Sequence, residues 1–406
     1  QQVENYHYHT ESIGEGTFSC VFPAIDERDG REVALKRLEK ARLANKGNML
    51  EREVKCLLKS SSCPSVVNYI ACTRDSNFEY IVVELMEDSL DNYLSSTKEC
   101  IQASTICIQI SLGMEFLHQN NVLHRDLKPQ NILYRTKPHF IVKISDFGLS
   151  KFLQQTSTDS KSVMHSKAVT RCWMAPELLA QNHEGHSKAT DIFSCGLLFH
   201  YVMSRKKHPF SHSRKSLKSN LHEIEENIQR DKKHLCSSLS SEASHLITKM
   251  LSKVPERRPA ASSLLNFPFF WDDRKKVSFL NSVGNQKEFE VPRSLRLSCD
   301  LSKVERDLEK CFSGHFCATA DWANQIRVVY GWARRNYNTT SGVELVRFIR
   351  NSHFHAYDFP EKIRKDLLEK FVVLKLFPYL VTDLYEVIKH HSSWTNREDL
   401  IHFFKN

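Results

Sequence analysis

The chain has 406 residues, 41% hydrophobic and 26% charged, with only 12 Gly and 12 Pro. This is a globular composition, long enough for about two to three domains. No window reaches the ~18 uninterrupted apolar residues of a membrane span, and Gln1–Tyr8 lacks the basic-then-apolar pattern of a signal peptide. The formal charge of +9 suits either a soluble basic surface or a polyanionic partner.

In chain order, Ile13, Val21, Phe22, Val33, Ala34 and Leu35 are expected in strands. A helix is expected over Glu51–Leu58, with Val54, Leu57 and Leu58 on one face, then a buried strand over Ile81–Leu85. From Ile101 to Trp271 the pattern is mostly helical. Thr156–Ser166 is rich in Ser, Thr and Lys and reads as a mobile loop. The aromatic run Phe267–Trp271 closes this region. Residues Asp273–Asp300 read as polar and turn-rich, and from Leu301 the pattern is helical to the end. Twelve scattered cysteines point to free thiols in a reducing compartment. Cys311, His315 and Cys317 lie close together, but no second ligand pair stands at a fitting distance for zinc. The chain does not begin with Met and is expected to be a fragment. An upstream membrane anchor or sensor domain would lie outside it.

The chemistry-bearing motifs come in a fixed order. Gly14-Glu-Gly16-Thr-Phe-Ser19-Cys-Val21 could let backbone amides approach phosphate oxygens. Alone it reads equally well as a hairpin turn, and Ser19 stands where a third glycine is usual. Val33-Ala34-Leu-Lys36 sets a lysine on a strand, where it can neutralise phosphate charge. Glu53 on the next helix can pair with it; Glu51 is the alternative and reads as a solvated charge. His124-Arg125-Asp126-Leu-Lys128-Pro-Gln-Asn131 offers Asp126 to accept or orient a substrate hydroxyl, Lys128 for the γ-phosphate and Asn131 for Mg²⁺. Asp146-Phe-Gly148 supplies a second metal carboxylate, and Ala175-Pro-Glu177 follows.

As an ordered set these motifs resemble the eukaryotic protein-kinase family over about Tyr8–Trp271. The resemblance implies an α+β, two-lobed kinase over residues 8–271, with an N-lobe to about 86, followed by an all-α domain over 272–406. It implies Mg-ATP or ADP in the cleft, held by Gly14, Gly16, Val21, Ala34, Lys36 and Glu53. Val83 would be the gatekeeper, and Glu84–Met86 the hinge that meets adenine. Glu177 would pair with a late arginine, Arg258, and Asp191 would brace the catalytic loop. Arg125 could bind a phosphate on Ser157, Ser160, Ser162, Ser166 or Thr170 after autophosphorylation.

The last 130 or so residues are too many for a kinase tail. Within them, Asn336-Tyr337 and Gly342-Val-Glu-Leu-Val-Arg347-Phe-Ile-Arg350-Asn351-Ser-His353-Phe-His355 form the informative block. Val343, Val346, Phe348 and Ile349 give it an apolar face. Tyr, Arg, Asn and His suit metal-free RNA cleavage, which needs a proton acceptor, positive charge at phosphorus and a proton donor. Taken alone, such residues at a helix end are more often surface residues. With Phe269-Phe-Trp271 and Asp321-Trp322, however, the block is similar to the kinase-extension nuclease domain. That domain is shared by the inositol-requiring enzyme of the unfolded-protein response and by ribonuclease L.

Ile144-Ser-Asp-Phe-Gly-Leu149 and Thr190-Asp-Ile-Phe-Ser194 lean toward the former. Ser282-Val-Gly-Asn285 resembles the latter, whose degenerate kinase differs from the intact motifs here. The resemblance implies Tyr337 as general base, His355 as general acid, and Arg350 and Asn351 on the scissile phosphate, with no metal. His353 reads as a surface residue. Further implications are an RNA substrate, a homodimer or higher oligomer, and a cytosolic location, tethered to the endoplasmic reticulum or free. Two other readings remain open. One is a plain serine/threonine kinase with a C-terminal docking or dimerisation domain. The other is a ribonuclease L-like enzyme whose kinase is a nucleotide-binding scaffold.

Overall fold

The computed structural model describes residues 1–15, 19–43, 49–96, 103–152, 168–180, 185–212, 220–289, 302–313, 321–331 and 337–405. The chain divides into two compact bodies. One is Gln1–Leu239 with Ile247–Leu264, and the other is Ser240–Leu246 with Leu265–Asn406.

The first body opens with a seven-stranded sheet: β1 (Gln2–Val3), β2 (Tyr6–Tyr8), β3 (Gly14–Glu15), β4 (Ser19–Asp26), β5 (Glu32–Glu39), β6 (Tyr69–Arg74) and β7 (Phe78–Glu84). The order is β1-β2-β4-β5-β7-β6, with β3 paired to β4. Tyr6, Tyr8, Phe22, Val33, Leu35, Tyr80 and Val82 form its apolar core. Registers Val21↔Lys36 and Lys36↔Ile81 put the lysine mid-sheet. Ile13 is not in a strand. It sits at a bend ahead of β3 and is 56% exposed, although its N–H still bonds Val21 O at 2.8 Å.

Helix α1 (Met49–Ser60) buries Glu53, Cys56, Leu57 and Ser60, while Leu58 is 53% exposed. The buried stripe follows 3–4 residue spacing around Glu53, so Leu58 falls off the face expected for it. Helix α2 (Ala103–Gln119) buries Ile106, Ile110, Met114 and Leu117. A Cβ on Gly113 would stand 2.7 Å from Ile144 Cδ1, so glycine lets α2 close on the strand that leads into Asp146. Helix α3 (Lys188–Met203) starts at a capping box between Ser187 and Thr190. The cap sets Asp191 in the first turn.

The second body is helical. Where turns are expected after Trp271, the structure has α4 (Asp273–Gly284). Its polar start is the helix cap: Asp272 accepts from Lys275 N at 2.7 Å. Its apolar residues Val277, Leu280 and Val283 recur at helical spacing and are buried. Residues 290–301 lie outside the described residues. Helices α5 (Lys303–Ser313), α6 (Gly342–Phe354) and α7 (Leu380–Ile388) complete the frame, with α4 against α6 and α5 against both α6 and α7. Ser341 caps α6 by accepting from Glu344 N. A Cβ on Gly342 would lie 1.9 Å from Phe312 Cδ2, so only glycine permits this approach. Val343, Val346, Phe348 and Ile349 are buried. Among the described residues no helix is long and apolar enough to cross a membrane.

Candidate active sites

In the first body Lys36 Nζ donates to Glu53 Oε1 at 2.5 Å and to Asp146 Oδ1 at 2.7 Å. Glu53 is buried, whereas Asp146 keeps 44% of its side chain exposed. Glu51 is exposed, away from this pair. Burial works against the Lys36 charge, but Asp146 and Glu53 together hold its pKa above the ordinary value. The Lys36 ammonium lowers Asp146 to about 2. Burial pushes the Glu53 carboxyl up against the pull of Lys36. Asp146 itself has φ +63°, an uncommon conformation for a residue with a side chain, and it aims the carboxylate at the lysine.

The loop over residues 124–131 is held by Asp191. Its carboxylate accepts from the backbone N–H of His124 and of Arg125, each at 2.9 Å, and lies 3.2 Å from His118 Nε2. Arg125 has φ +72°. Lys128 Nζ donates to Asp126 Oδ2 at 2.7 Å and to Thr170 Oγ1 at 3.2 Å. Asn131 Nδ2 donates to the Asp126 carbonyl and carboxylate at 2.7 and 2.9 Å. Burial raises the Asp126 pKa, and its Oδ1 is buried without a partner. Arg258 forks onto Glu177 at 2.6 and 2.8 Å. Ala34 and Val83 face one another across β5 and β7, as do Val33 and Glu84; Met86 is buried just beyond. The Glu84 side chain is spent on Lys143 at 2.5 Å and Asn68 N at 2.7 Å. Gly14 and Val21 pair across β3 and β4. Gly16, Ser157, Ser160, Ser162 and Ser166 lie outside the described residues, as do His315 and Cys317.

The metal-fit question turns on donor chemistry. Asp146 offers a partly exposed carboxylate held ionised, and the amide nitrogen of Asn131 is committed to Asp126, leaving the amide oxygen as its remaining donor atom. Two hard oxygen donors suit Mg²⁺.

In the second body one hydrogen-bonded chain links four residues. Gly284 O accepts from Arg350 Nε at 3.2 Å. Arg350 Nη1 donates to Asn351 Oδ1 at 2.8 Å, and Asn351 Nδ2 donates to Tyr337 OH at 2.8 Å. Phe348 meets the Tyr337 ring edge-on at 5.3 Å, and the Arg347 guanidinium lies 5.4 Å from its centre. Arg347 is itself paired with buried Glu344 at 3.1 Å. His355 caps α6 one turn past Asn351, and its backbone N–H bonds Asn351 O at 3.0 Å. Its ring is 53% exposed and faces Asp358, with Nδ1 3.3 Å from Oδ2. The structure thus joins Tyr337, Arg350 and Asn351 directly, whereas His355 is linked to Asn351 through its backbone and turns its ring to Asp358 and Phe354.

His353 is not a surface residue. It is half-buried and lines a cavity of about 670 Å³ with Arg274, Asn281, Arg350, Phe354 and Phe371. Its Nδ1 donates to Ile349 O at 2.9 Å, and burial pushes its pKa down. Neighbouring α4 and the Leu368–Phe371 segment cover it, which a position near a helix end does not reveal. Gly284, Glu344 and Arg347 escape sequence reasoning as site residues. The one signal available is a glycine inside a helix, which implies a close approach.

Comparison with known proteins adds the lineage. A family model described as Protein kinase domain matches residues 7–270, and one described as Ribonuclease 2-5A matches residues 276–403. The serine/threonine-protein kinase/endoribonuclease ire-1 of Caenorhabditis elegans is 30% identical over 90% of this chain and 37% of its own length. The sensor for unfolded proteins in the ER ire1 of Schizosaccharomyces pombe is 29% identical over 95% of this chain and 38% of its own. Human serine/threonine-protein kinase/endoribonuclease IRE2 is 33% identical over 84% of this chain and 36% of its own. The chain therefore spans less than two-fifths of the length of these relatives. With both family models matched in series and relatives of this kind along most of its length, the chain belongs to the kinase/endoribonuclease family.

Proposed function

We propose that the chain is an autophosphorylating serine/threonine kinase, over residues 8–271, joined to a metal-independent endoribonuclease, over residues 272–406. Nucleotide binding and dimerisation would switch on the nuclease. In the kinase, Lys36, positioned by Glu53, takes the α/β-phosphates of ATP. The glycine turn with Val21, Ala34, Val83, Glu84 and Met86 encloses the nucleotide. Asp146 and Asn131 would hold Mg²⁺, which when bound neutralises phosphate charge. Asp126 orients the substrate hydroxyl, and Lys128 meets the γ-phosphate. The orphaned Asp126 Oδ1 is an acceptor awaiting that hydroxyl.

In the nuclease, Tyr337 takes the proton from the RNA 2′-hydroxyl as the 2′-oxygen bonds to phosphorus. Arg350 and Asn351 hold the phosphate oxygens. The bond from phosphorus to the 5′-oxygen breaks, and His355 gives that oxygen its proton. Asp358 beside Nδ1 can accept that N–H and orient the protonated ring, so that Nε2–H is the proton given. The products are a 2′,3′-cyclic phosphate and a 5′-hydroxyl. The observation carrying this reading is the direct chain from Arg350 through Asn351 to Tyr337. One relative is named a sensor for unfolded proteins in the ER. That name supports a place in unfolded-protein signalling, as the cytosolic part of a longer protein tethered to that membrane.

The test is cleavage of a fluorescent RNA hairpin in EDTA with ADP. Wild type is expected to cut it and His355→Ala to leave it intact. Equal cleavage by both, or by neither, overturns the nuclease assignment. Autophosphorylation in Mg-ATP should disappear in Asp126→Ala; its persistence would overturn the kinase assignment.

A further inference from the structure

Few large apolar side chains stand in water among the described residues. The aromatic ones are Phe354 and Tyr357, each 79% exposed, and Tyr379, 51% exposed, all in the second body. Phe354 and Tyr357 bracket His355. Phe354 is the last residue of α6, and its ring centre lies 5.1 Å from that of His355, edge to face. Tyr357 sits in the 3₁₀ turn Ala356–Asp358, with the Arg364 guanidinium 5.3 Å from its ring centre. Two exposed rings that flank one histidine in the sequence are not explained by packing.

The neighbourhood fits a nucleic acid better than another apolar surface. Arg364 lies on Tyr357, and Arg350 and Arg274 line the cavity that Phe354 walls. Positive charge beside an open ring is how single strands are held: bases stack on the ring while cations follow the phosphates. The cavity also carries unspent hydrogen-bonding atoms. His353 Nε2 and Asn281 Oδ1 are buried there without partners. Because His353 Nδ1 donates to Ile349 O, its neutral ring presents Nε2 as an acceptor. A base edge bearing N–H groups would satisfy both atoms once the two lining side chains turned toward it.

We propose that Phe354 and Tyr357 are positioning residues that stack two unpaired bases of the RNA, one on each side of His355, with the cavity behind Phe354 receiving one base edge. This rests on the nuclease reading above. It makes the two rings, rather than base pairing, responsible for seating the scissile phosphate on Arg350 and Asn351.

The test compares wild type with Phe354→Ala, Phe354→Trp and Tyr357→Ala. Substrates are an RNA hairpin and the same hairpin made abasic at either nucleotide flanking the cut. Phe354→Ala is expected to lower kcat/KM about 5- to 100-fold, chiefly through KM, and Trp to restore it. On RNA abasic at the base that Phe354 stacks, the variant and wild type should converge. Tyr357→Ala should show the same pattern at the other position. Equal cleavage by wild type and the alanine variants overturns the platform, and so does an undiminished loss on abasic RNA. A loss that tracks a shift in sedimentation would make the rings an interface between copies instead. Binding of the hairpin, read by fluorescence anisotropy in the His355→Ala background, separates the two proposals. If nothing is cleaved but Phe354→Ala still weakens binding, the platform stands and the cleavage chemistry falls.

Discussion

Lys36 holds two carboxylates of different character. Glu53 is buried and shaped by desolvation, while Asp146 is partly open and held ionised by the lysine. Replacing the ammonium therefore has two separable effects. In Lys36→Met, Asp146 should rise from about 2 toward the ordinary ~3.9. Glu53 should rise further above its ordinary value, since burial then acts unopposed. Carbon-13 titration of the two labelled carboxyls checks both; an unmoved Asp146 would overturn the pairing. A depressed Asp pKa stabilises the fold above the unfolded value of ~3.9, and that contribution is lost as pH falls toward the folded one. The acid limb of unfolding between roughly pH 4 and 2 should be shallower in Lys36→Met than in wild type. Lys36 and Asp146 are legible in the sequence because each belongs to a short contiguous motif in a fixed order, and Glu53 because it falls on the helix that follows the lysine strand. His353 is not, because its burial depends on α4 and on Leu368–Phe371, which lie far from it along the chain.

Among elements, the contact of α4 with α6 holds Arg350, one of the residues proposed for RNA cleavage. A Cβ on Gly284 would come within 2.7 Å of Arg350 Cβ and 3.4 Å of Val346 O, and the Gly284 carbonyl accepts from Arg350. Gly284→Ala should cost about 1–3 kcal/mol in overpacking. By shifting Arg350 it should also lower RNA cleavage about 10- to 100-fold, with autophosphorylation intact. Unchanged cleavage would show that this contact does not position the arginine.

The first body has its own clamp. Arg258, with no exposed guanidinium surface, forks onto Glu177 and also donates to Ala189 O. Glu177→Ala leaves that charge buried and unpaired, and should destabilise the body by about 3–5 kcal/mol. Chemical denaturation measures this, and Glu177→Leu combined with Arg258→Met should recover part of the loss. The element pattern shows why sequence reading stops where it does. Strands β4 and β5 are legible from apolar spacing, but α4 is disguised by the run Asp272-Asp-Arg-Lys-Lys276. Those residues are a cap and a solvated first turn, and they look like a loop until Val277, Leu280 and Val283 are placed on one face.

At the scale of the whole molecule, a chain with the kinase motifs in one compact body and the residues proposed to cleave RNA in the other invites a switch. A switch is a coupling free energy, and coupling is reciprocal. If saturating ADP strengthens dimerisation by some factor, each of two equivalent, independent sites in the dimer must bind ADP more tightly by the square root of that factor. The sequence makes the two sites legible, because each has its own motifs, but a coupling has no motif. It resides in the difference between two states of the assembly, which a list of residues in one chain does not contain.

The ADP dissociation constant, measured by calorimetry well below and well above the dimerisation constant, should tighten with protein concentration by about 5- to 150-fold. Sedimentation with and without saturating ADP should give the square of that per-site factor in the association constant, because two sites fill per dimer. Cleavage per protomer should rise over the same concentration range, and in Lys36→Met the ADP dependence of all three should weaken together. If ADP affinity is the same at both extremes while ADP still activates cleavage, nucleotide acts within one protomer and dimerisation is not the switch.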